Sequence, residues 1–241
     1  MTQGKLYIVP TPVGNMGDMS PRAVDTLKQA EAVYAEDTRT SGVLFKHFGI
    51  TTPLVSFHKF NEHAVVDKIV ERLKSGATLA LVSDAGTPGI SDPGFLLTRA
   101  CRQHGIEVET LPGPTAFVPA LVNSGLPADR FFFEGFLPQK KGRQTRLQFL
   151  ASLPATVIVY ESPLRLVRTL GDLTQCCGAT RRASVSREIS KLYNSTVNGT
   201  LEELIEHFTV NTPRGEIVIV IEGTDNIGTE KKEHKNKYKN G

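Results

Sequence analysis

The chain has 241 residues, 39% of them hydrophobic and 22% charged, which excludes a disordered polypeptide and leaves room for one large domain or two small ones. Its apolar runs stop at five or six residues, far short of a membrane span, and the opening MTQGKLYIVPTPVG shows no secretory signal. Three cysteines, with Cys176 and Cys177 adjacent, fit neither a disulfide framework nor a CxxC metal site, so the expected compartment is the reducing cytoplasm.

Elements alternate along the first half. KLYIVP (5–10) is a short apolar strand, and Ser20-Pro21 opens a helix with a capping serine and a proline at the first helical position. AVYAE (32–36) is a second strand, 39–48 a helix stopped by Gly49, and PLVSF (53–57) a third strand. Residues 62–74 carry Val65, Val66, Ile69, Val70 and Leu73 at helical spacing. TLALVS (78–83) is the fourth strand, 94–104 a helix and IEVETL (106–111) the fifth strand. This alternation predicts a parallel sheet covered by helices, an α/β domain over 1–124.

Ser124-Gly125-Leu126-Pro127 marks the expected boundary, and a mixed-sheet α/β domain is predicted over 125–226. It holds strands at 131–138, 156–162, 182–188 and 215–223, helices at 142–151, 163–175 and 200–208, and a hairpin arm in LYNSTVNG. Residues 227–241 read as a basic, disordered tail.

The net charge of +3 is unevenly spread. Residues 135–200 hold ten basic and three acidic side chains, while 201–229 hold one and six. Lys140, Lys141, Arg143 and Arg146 crowd one stretch that can attract a polyanion or simply form a solvated loop.

No GxGxxG follows the first strand, and GxxxxGK[ST], GxSxG and HExxH are absent. His58 and His63 lack a third ligand, so no metal is expected. The loops are the informative feature. Helix-to-strand links are short, whereas strand-to-helix links are long and rich in Pro, Gly, Asp, Ser and Thr. In an open parallel sheet the latter all lie at the carboxyl edge, where such sheets bind ligands. The loop from Asp84 to Gly94, DAGTPGISDPG, combines glycines for close backbone approach with carboxylates that accept from an amine or hydroxyl. The PGPT loop (112–115) offers backbone donors at a helix start. Glu36-Asp37-Thr38-Arg39 is either an ion-pair network or a site.

LYIVPTPVGN, AEDTRTS, SDAGTPGISDPG, LPGPTA, FFFEGFLPQK, YESPLR, SREISK and RGEIVIVIEG, in this order, resemble the ribosomal RNA small subunit methyltransferase I family, the rRNA branch of the tetrapyrrole methylase superfamily. The resemblance covers residues 5–223. It implies a two-domain tetrapyrrole-methylase-like fold, a homodimer, and 2′-O-ribose methylation of a cytidine in 16S rRNA, in the decoding region of the small ribosomal subunit. It implies S-adenosylmethionine as cofactor, touching Pro10, the Asp84-Ala85-Gly86-Thr87 turn, Ile90, Ser91, Thr115, Ala116, Tyr160, Gly215 and Glu216. Glu36 and Asp37 are candidate bases for the 2′-hydroxyl, and Arg39 and Lys191 candidates to steady an oxyanion or phosphate. Phosphate contacts are expected from Lys140, Lys141, Arg143 and Arg146, with Arg165, Arg168 and Arg187 as further possibilities. Phe57, Phe60 and Phe136 either stack on a base or belong to the core. The alternative is a tetrapyrrole C-methyltransferase of the same fold. The PTPVGN loop, typical of the rRNA branch, argues against it, while Leu164 stands where that branch commonly has histidine.

Overall fold

The computed structural model describes residues 4–226, so the expected tail at 227–241 lies outside the described residues. These residues fall into two compact units, 4–118 with 189–193 and 119–188 with 194–226. The division comes inside the helix Phe117–Ser124 rather than after it, and a short excursion of the second half joins the first unit.

The first unit holds β1 (Lys5–Ile8), β2 (Ala32–Ala35), β3 (Leu54–Ser56), β4 (Thr78–Val82) and β5 (Glu107–Thr110). All neighbours run parallel, in the order β3-β2-β4-β1-β5. Between them run α1 (Pro21–Gln29), α2 (Thr38–Phe48), α3 (Glu62–Lys74) and α4 (Phe95–Gln103). Successive strand residues point to opposite faces, and both faces are apolar. Leu6, Ile8, Leu79 and Leu81 pack with Ile69, Leu73 and Leu97 of α3 and α4. Val9, Val33, Ala80 and Val82 pack with Leu27, Leu44 and Phe45 of α1 and α2. Each such fully buried leucine contributes about 1.5–3 kcal/mol. Ser20 Oγ accepts from Ala23 N at 3.1 Å to start α1, and Gly49 ends α2 at φ +61°, a conformation that a β-carbon disfavours. Because the strands are parallel, their five carboxyl ends share one edge.

After α5 (Phe117–Ser124), which spans the division, the second unit holds β6 (Phe131–Phe136), α6 (Arg143–Ala151), β7 (Thr156–Glu161), α7 (Leu166–Cys177), β8 (Arg182–Arg187), β9 (Ser195–Thr200), α8 (Leu201–Val210) and β10 (Ile217–Ile221). The order is β6-β7-β10-β8-β9, with only β6 and β7 parallel. The hairpin arm expected in LYNSTVNG is β9, antiparallel to β8. Leu147, Leu166, Leu170, Leu173, Leu204 and Phe208 from α6, α7 and α8 cover Val157, Val159 and Ile219. Thr200 starts α8 with a reciprocal capping box to Glu203. Among the described residues no helix is long and apolar enough to cross a membrane.

Candidate active site

Three loops at the carboxyl edge of the parallel sheet are stitched together. Thr11 and Gly86 exchange backbone hydrogen bonds of 2.9 Å, joining the loop after β1 to the loop after β4. Thr11 Oγ1 donates to the Ser83 carbonyl at 3.0 Å, and Ser83 Oγ donates to the Gly86 carbonyl at 3.1 Å. Thr87 Oγ1 donates to the Pro114 carbonyl at 3.0 Å, joining the loop after β5. Gly113 lies so close to Pro10 that a β-carbon there would sit 2.6 Å from the proline Cβ. Pro10, Asp84, Ala85, Gly86, Thr87, Ile90, Ser91, Thr115 and Ala116 therefore belong to one braced set of loops in the first unit. Gly86, Gly89 and Ser91 all have φ between +67° and +83°, turning the backbone sharply around the loop. A β-carbon at Gly89 would enter open space, so backbone is accessible there.

Carboxylates gather at this same edge. Asp92, in the loop after β4, has its pKa pushed up to about 7, first by burial and then by the charges of Glu36 and Asp84, against a smaller opposing hydrogen bond from Ser83. Burial also raises Glu36, reinforced by Asp84 and partly offset by His58. Asp84 is raised by burial, with partial relief from the Asp37 amide that donates to its Oδ1 at 3.1 Å. Asp37 is different in kind. It caps α2 by accepting from Arg39 N at 2.8 Å, and its two oxygens accept from Arg39 Nε and Nη2 at 3.0 and 2.7 Å. That pairing lowers its pKa to about 2. Arg39 is tied to the same carboxylate and is otherwise solvent-exposed.

Lys191 belongs to the excursion that joins the first unit, and its side chain lies against Gly14, where an added β-carbon would be 2.2 Å from Lys191 Cγ. Ser190 Oγ donates to Asp18 in the same region. A cleft of about 330 Å³ opens beside these loops, between the loop after β1, the first turns of α2 and the end of β4.

In the second unit, register places the remaining motif residues at one end of the sheet. Phe136 pairs with Tyr160, Val218 with Tyr160, and Ile217 with both Glu161 and Arg187. Tyr160 meets Phe133 and Phe136 edge-on, with ring centroids 5.1 and 5.5 Å apart. Gly215 has φ +85° and no space for a side chain because Glu188 fills it, while Glu216 N donates to Glu188 Oε1 at 3.0 Å. Beside them runs a buried polar chain. Glu161 accepts from Ser162 N, Arg165 Nε and Thr169 Oγ1 at 2.6, 2.8 and 2.8 Å. Thr169 Oγ1 accepts from Arg143 Nη2 at 2.8 Å, and Arg143 Nε donates to Asp172 at 2.8 Å.

This chain revises the expected phosphate-binding set. Arg143 is 8% exposed and committed to Asp172, Thr169 and the Pro138 carbonyl. Arg146 forms a two-point pair with Glu134 and lies over the Phe132 and Phe149 rings. Buried or paired guanidiniums hold the fold, since an unpaired one would be costly. Lys140 and Lys141 remain exposed. Arg165 is paired with Glu161, Arg187 donates to Ser195 Oγ at 2.8 Å, and Arg168 is exposed. Among the aromatics, Phe57 is core, whereas Phe60 and Phe136 are 95% and 59% exposed. Leu164 is also exposed. Asp92 stands in the loop that the sequence singles out, but its role is not legible there, because burial and the neighbouring Glu36 charge are tertiary facts. Its signal was a second acid eight residues after Asp84 in one special loop.

Residues 5–205 match the family model for tetrapyrrole (corrin/porphyrin) methylases. The ribosomal RNA small subunit methyltransferase I of Synechocystis sp. is 51% identical over 221 residues, spanning 91% of this chain and 79% of that protein. The protein of the same description from Xylella fastidiosa strain Temecula1 is 49% identical, spanning 92% and 82%. A solved structure of Thermus thermophilus uroporphyrin-III C-methyl transferase complexed with S-adenyl homocysteine superposes with a TM-score of 0.62 at 21% identity, covering 90% of this chain and 97% of that one, which shows a shared fold. The chain belongs to the tetrapyrrole methylase family, on its ribosomal RNA small subunit methyltransferase I branch.

Proposed function

We propose that this protein uses S-adenosylmethionine to methylate the ribose 2′-oxygen of a cytidine in 16S rRNA, acting on the decoding region of the small subunit as a cytoplasmic homodimer. Relatives named for rRNA methylation support the RNA substrate. The cytidine, the 2′-oxygen and the dimer are carried by the motif resemblance. The single observation that carries the chemistry is Asp92, a half-buried carboxyl in the loop after β4 whose burial and neighbouring Glu36 and Asp84 charges push its pKa up, at the edge where parallel sheets bind ligands.

The loops after β1, β4 and β5 suit the cofactor. They are rigidly cross-linked, they turn on residues with positive φ, and Gly89 offers backbone with no side chain in the way. Pro10, the Asp84–Thr87 turn, Ile90, Ser91, Thr115 and Ala116 would hold it in the first unit, with Tyr160, Gly215 and Glu216 the expected second-unit contributors. When bound, the cofactor supplies a methyl group on a sulfonium, already activated for in-line displacement. The protein's share is alignment, which can supply roughly 7–11 kcal/mol, and removal of the hydroxyl proton. Asp92 is the base this reading favours, because a pKa near the working pH gives both an ionised fraction and useful basicity. Glu36 and Asp84 help keep that pKa high. Asp37, at about 2, is too weak a base, and its role is to cap α2. Lys191, whose side chain lies against Gly14 in the loop after β1, would meet a phosphate or oxyanion. Lys140 and Lys141 supply exposed charge for the RNA backbone.

The test supplies methyl-labelled cofactor together with small ribosomal subunits or with uroporphyrinogen. Label in 16S rRNA supports the reading. Label in the tetrapyrrole alone, with measurable cofactor binding, overturns it.

A further inference from the structure

The cleft of about 330 Å³ in the first unit is not accounted for by the cofactor loops alone. Pro12, Met16 and Val43 give it apolar walls, and Asn15, Ser41 and Asp84 give it polar groups. Ser41 is the informative one. It is 3% exposed, and its Oγ has no hydrogen-bond partner among the described residues. A buried hydroxyl without a partner is costly, so an orphan of this kind at a cleft calls for a ligand acceptor. Asn15 uses its Oδ1 to accept from Gly17 N at 2.9 Å, which leaves its Nδ2 hydrogens as the donating end. Asp84 uses Oδ1 for Asp37 N at 3.1 Å, which leaves Oδ2 as an acceptor.

The cleft thus offers one carboxylate acceptor, an amide donor and a hydroxyl left without a protein partner, between apolar walls. A flat heterocycle with one exocyclic amine and two ring acceptors complements that set. We infer that this cleft is the subsite for the target base, holding a cytosine turned out of the RNA. Asp84 accepts from N4, and Asn15 and Ser41 donate to O2 and N3. An acidic side chain accepting from cytosine N4 is an established pairing. Uracil presents an oxygen at the same place, facing a carboxylate, and is rejected because both acceptors go unsatisfied. The subsite also adjoins the chemistry, since the charge of Asp84 is felt at Asp92. Turning the nucleotide out of its stack brings its ribose to the edge where Asp92 stands, as enzymes acting on a single nucleotide require. Selection of cytidine then comes from this chain as well as from the fold of the RNA.

This inference rests on the reading of the chain as an rRNA cytidine methyltransferase, and the experiment separates the two. Small subunits carrying the natural cytidine, or a uridine in its place, are methylated by the wild type and by Asp84→Asn. Asparagine keeps an oxygen for Asp37 N and puts a donor where the carboxylate accepted. The wild type should prefer cytidine, and Asp84→Asn should lower the cytidine-to-uridine ratio of kcat/KM by about tenfold or more. Val43→Trp, at an exposed wall position, should raise KM for subunits at least several-fold and leave the cofactor Kd unchanged. Wild-type activity with an unaltered ratio in Asp84→Asn, and normal KM in Val43→Trp, overturns the subsite and leaves the methyltransferase reading standing. No methylation of either subunit by the wild type overturns both.

Discussion

Asp92→Asn separates catalysis from stability in one substitution. The amide is nearly isosteric, but it neither titrates nor accepts a proton at neutral pH. In the folded chain the Asp92 pKa is pushed up to about 7, chiefly by burial, whereas an unfolded aspartate titrates near 3.9. The native state therefore binds the proton more tightly. The stability that this contributes is fully present below about pH 4 and is lost as pH rises through about 7. A gap of about three units corresponds nominally to roughly 4 kcal/mol. Asp92 is only partly shielded from solvent, which reduces the effect to roughly 1–2 kcal/mol. Asparagine has no such dependence. Relative to wild type, the variant should gain about 1–2 kcal/mol between pH 4 and pH 8, which in a chain of this size is roughly 2–8 °C in Tm. The same substitution should lower kcat by about 10²–10⁴-fold and abolish the acidic limb that wild type shows below about pH 7. Thermal unfolding across pH, with single-turnover methylation at each pH, reads both effects. Parallel stability profiles and an unchanged acidic limb would refute the placement of a poised carboxyl at this edge.

Other perturbations test other parts of the structure. Arg143→Met strands Asp172 and removes the donor to Thr169, so denaturant unfolding should show a loss of about 3 kcal/mol, little relieved or worsened by salt. Replacing Lys140 and Lys141 by alanine should leave Tm within about 1 °C of wild type, while the slope of log K for RNA against log salt becomes shallower by about 1.4–1.8. Gly113→Ala forces a methyl group to within 2.6 Å of the Pro10 ring, so it should cost about 1–3 kcal/mol and weaken cofactor binding measured by calorimetry. Ser20→Ala removes the cap of α1 and should cost about 1 kcal/mol without changing kcat.

The architecture was legible because its signals are local. The alternation of short apolar strands with 3.6-period helices, and glycines such as Gly49 at helix ends, mark the parallel sheet, and the long polar loops after β1 and β4 mark its carboxyl edge. The excursion of 189–193 into the first unit was not legible, since nothing local to SREISKLY states which unit it joins. The site divides the same way. Pro10, Gly86, Thr87 and Thr115 are visible as loop chemistry. Which acid among Glu36, Asp37, Asp84 and Asp92 carries a raised pKa depends on burial and facing charges. Positive charge misled for a related reason. Arg143 and Arg146 read like Lys140 and Lys141 in a list of residues, but Asp172 and Glu134, distant in sequence, turn the two arginines into structural groups. Ser41 carried no signal at all, because an unsatisfied hydroxyl exists only once a helix has buried it.

The most direct test of the account is the identity of the modified nucleoside. Wild-type protein is incubated with methyl-labelled S-adenosylmethionine and small subunits from cells lacking their own copy of the enzyme, and the 16S rRNA is digested to nucleosides for chromatography with mass detection. The account predicts that the label resides in 2′-O-methylcytidine, with the methyl on the sugar fragment. Label on a base fragment, or on the ribose of another nucleoside, would contradict it.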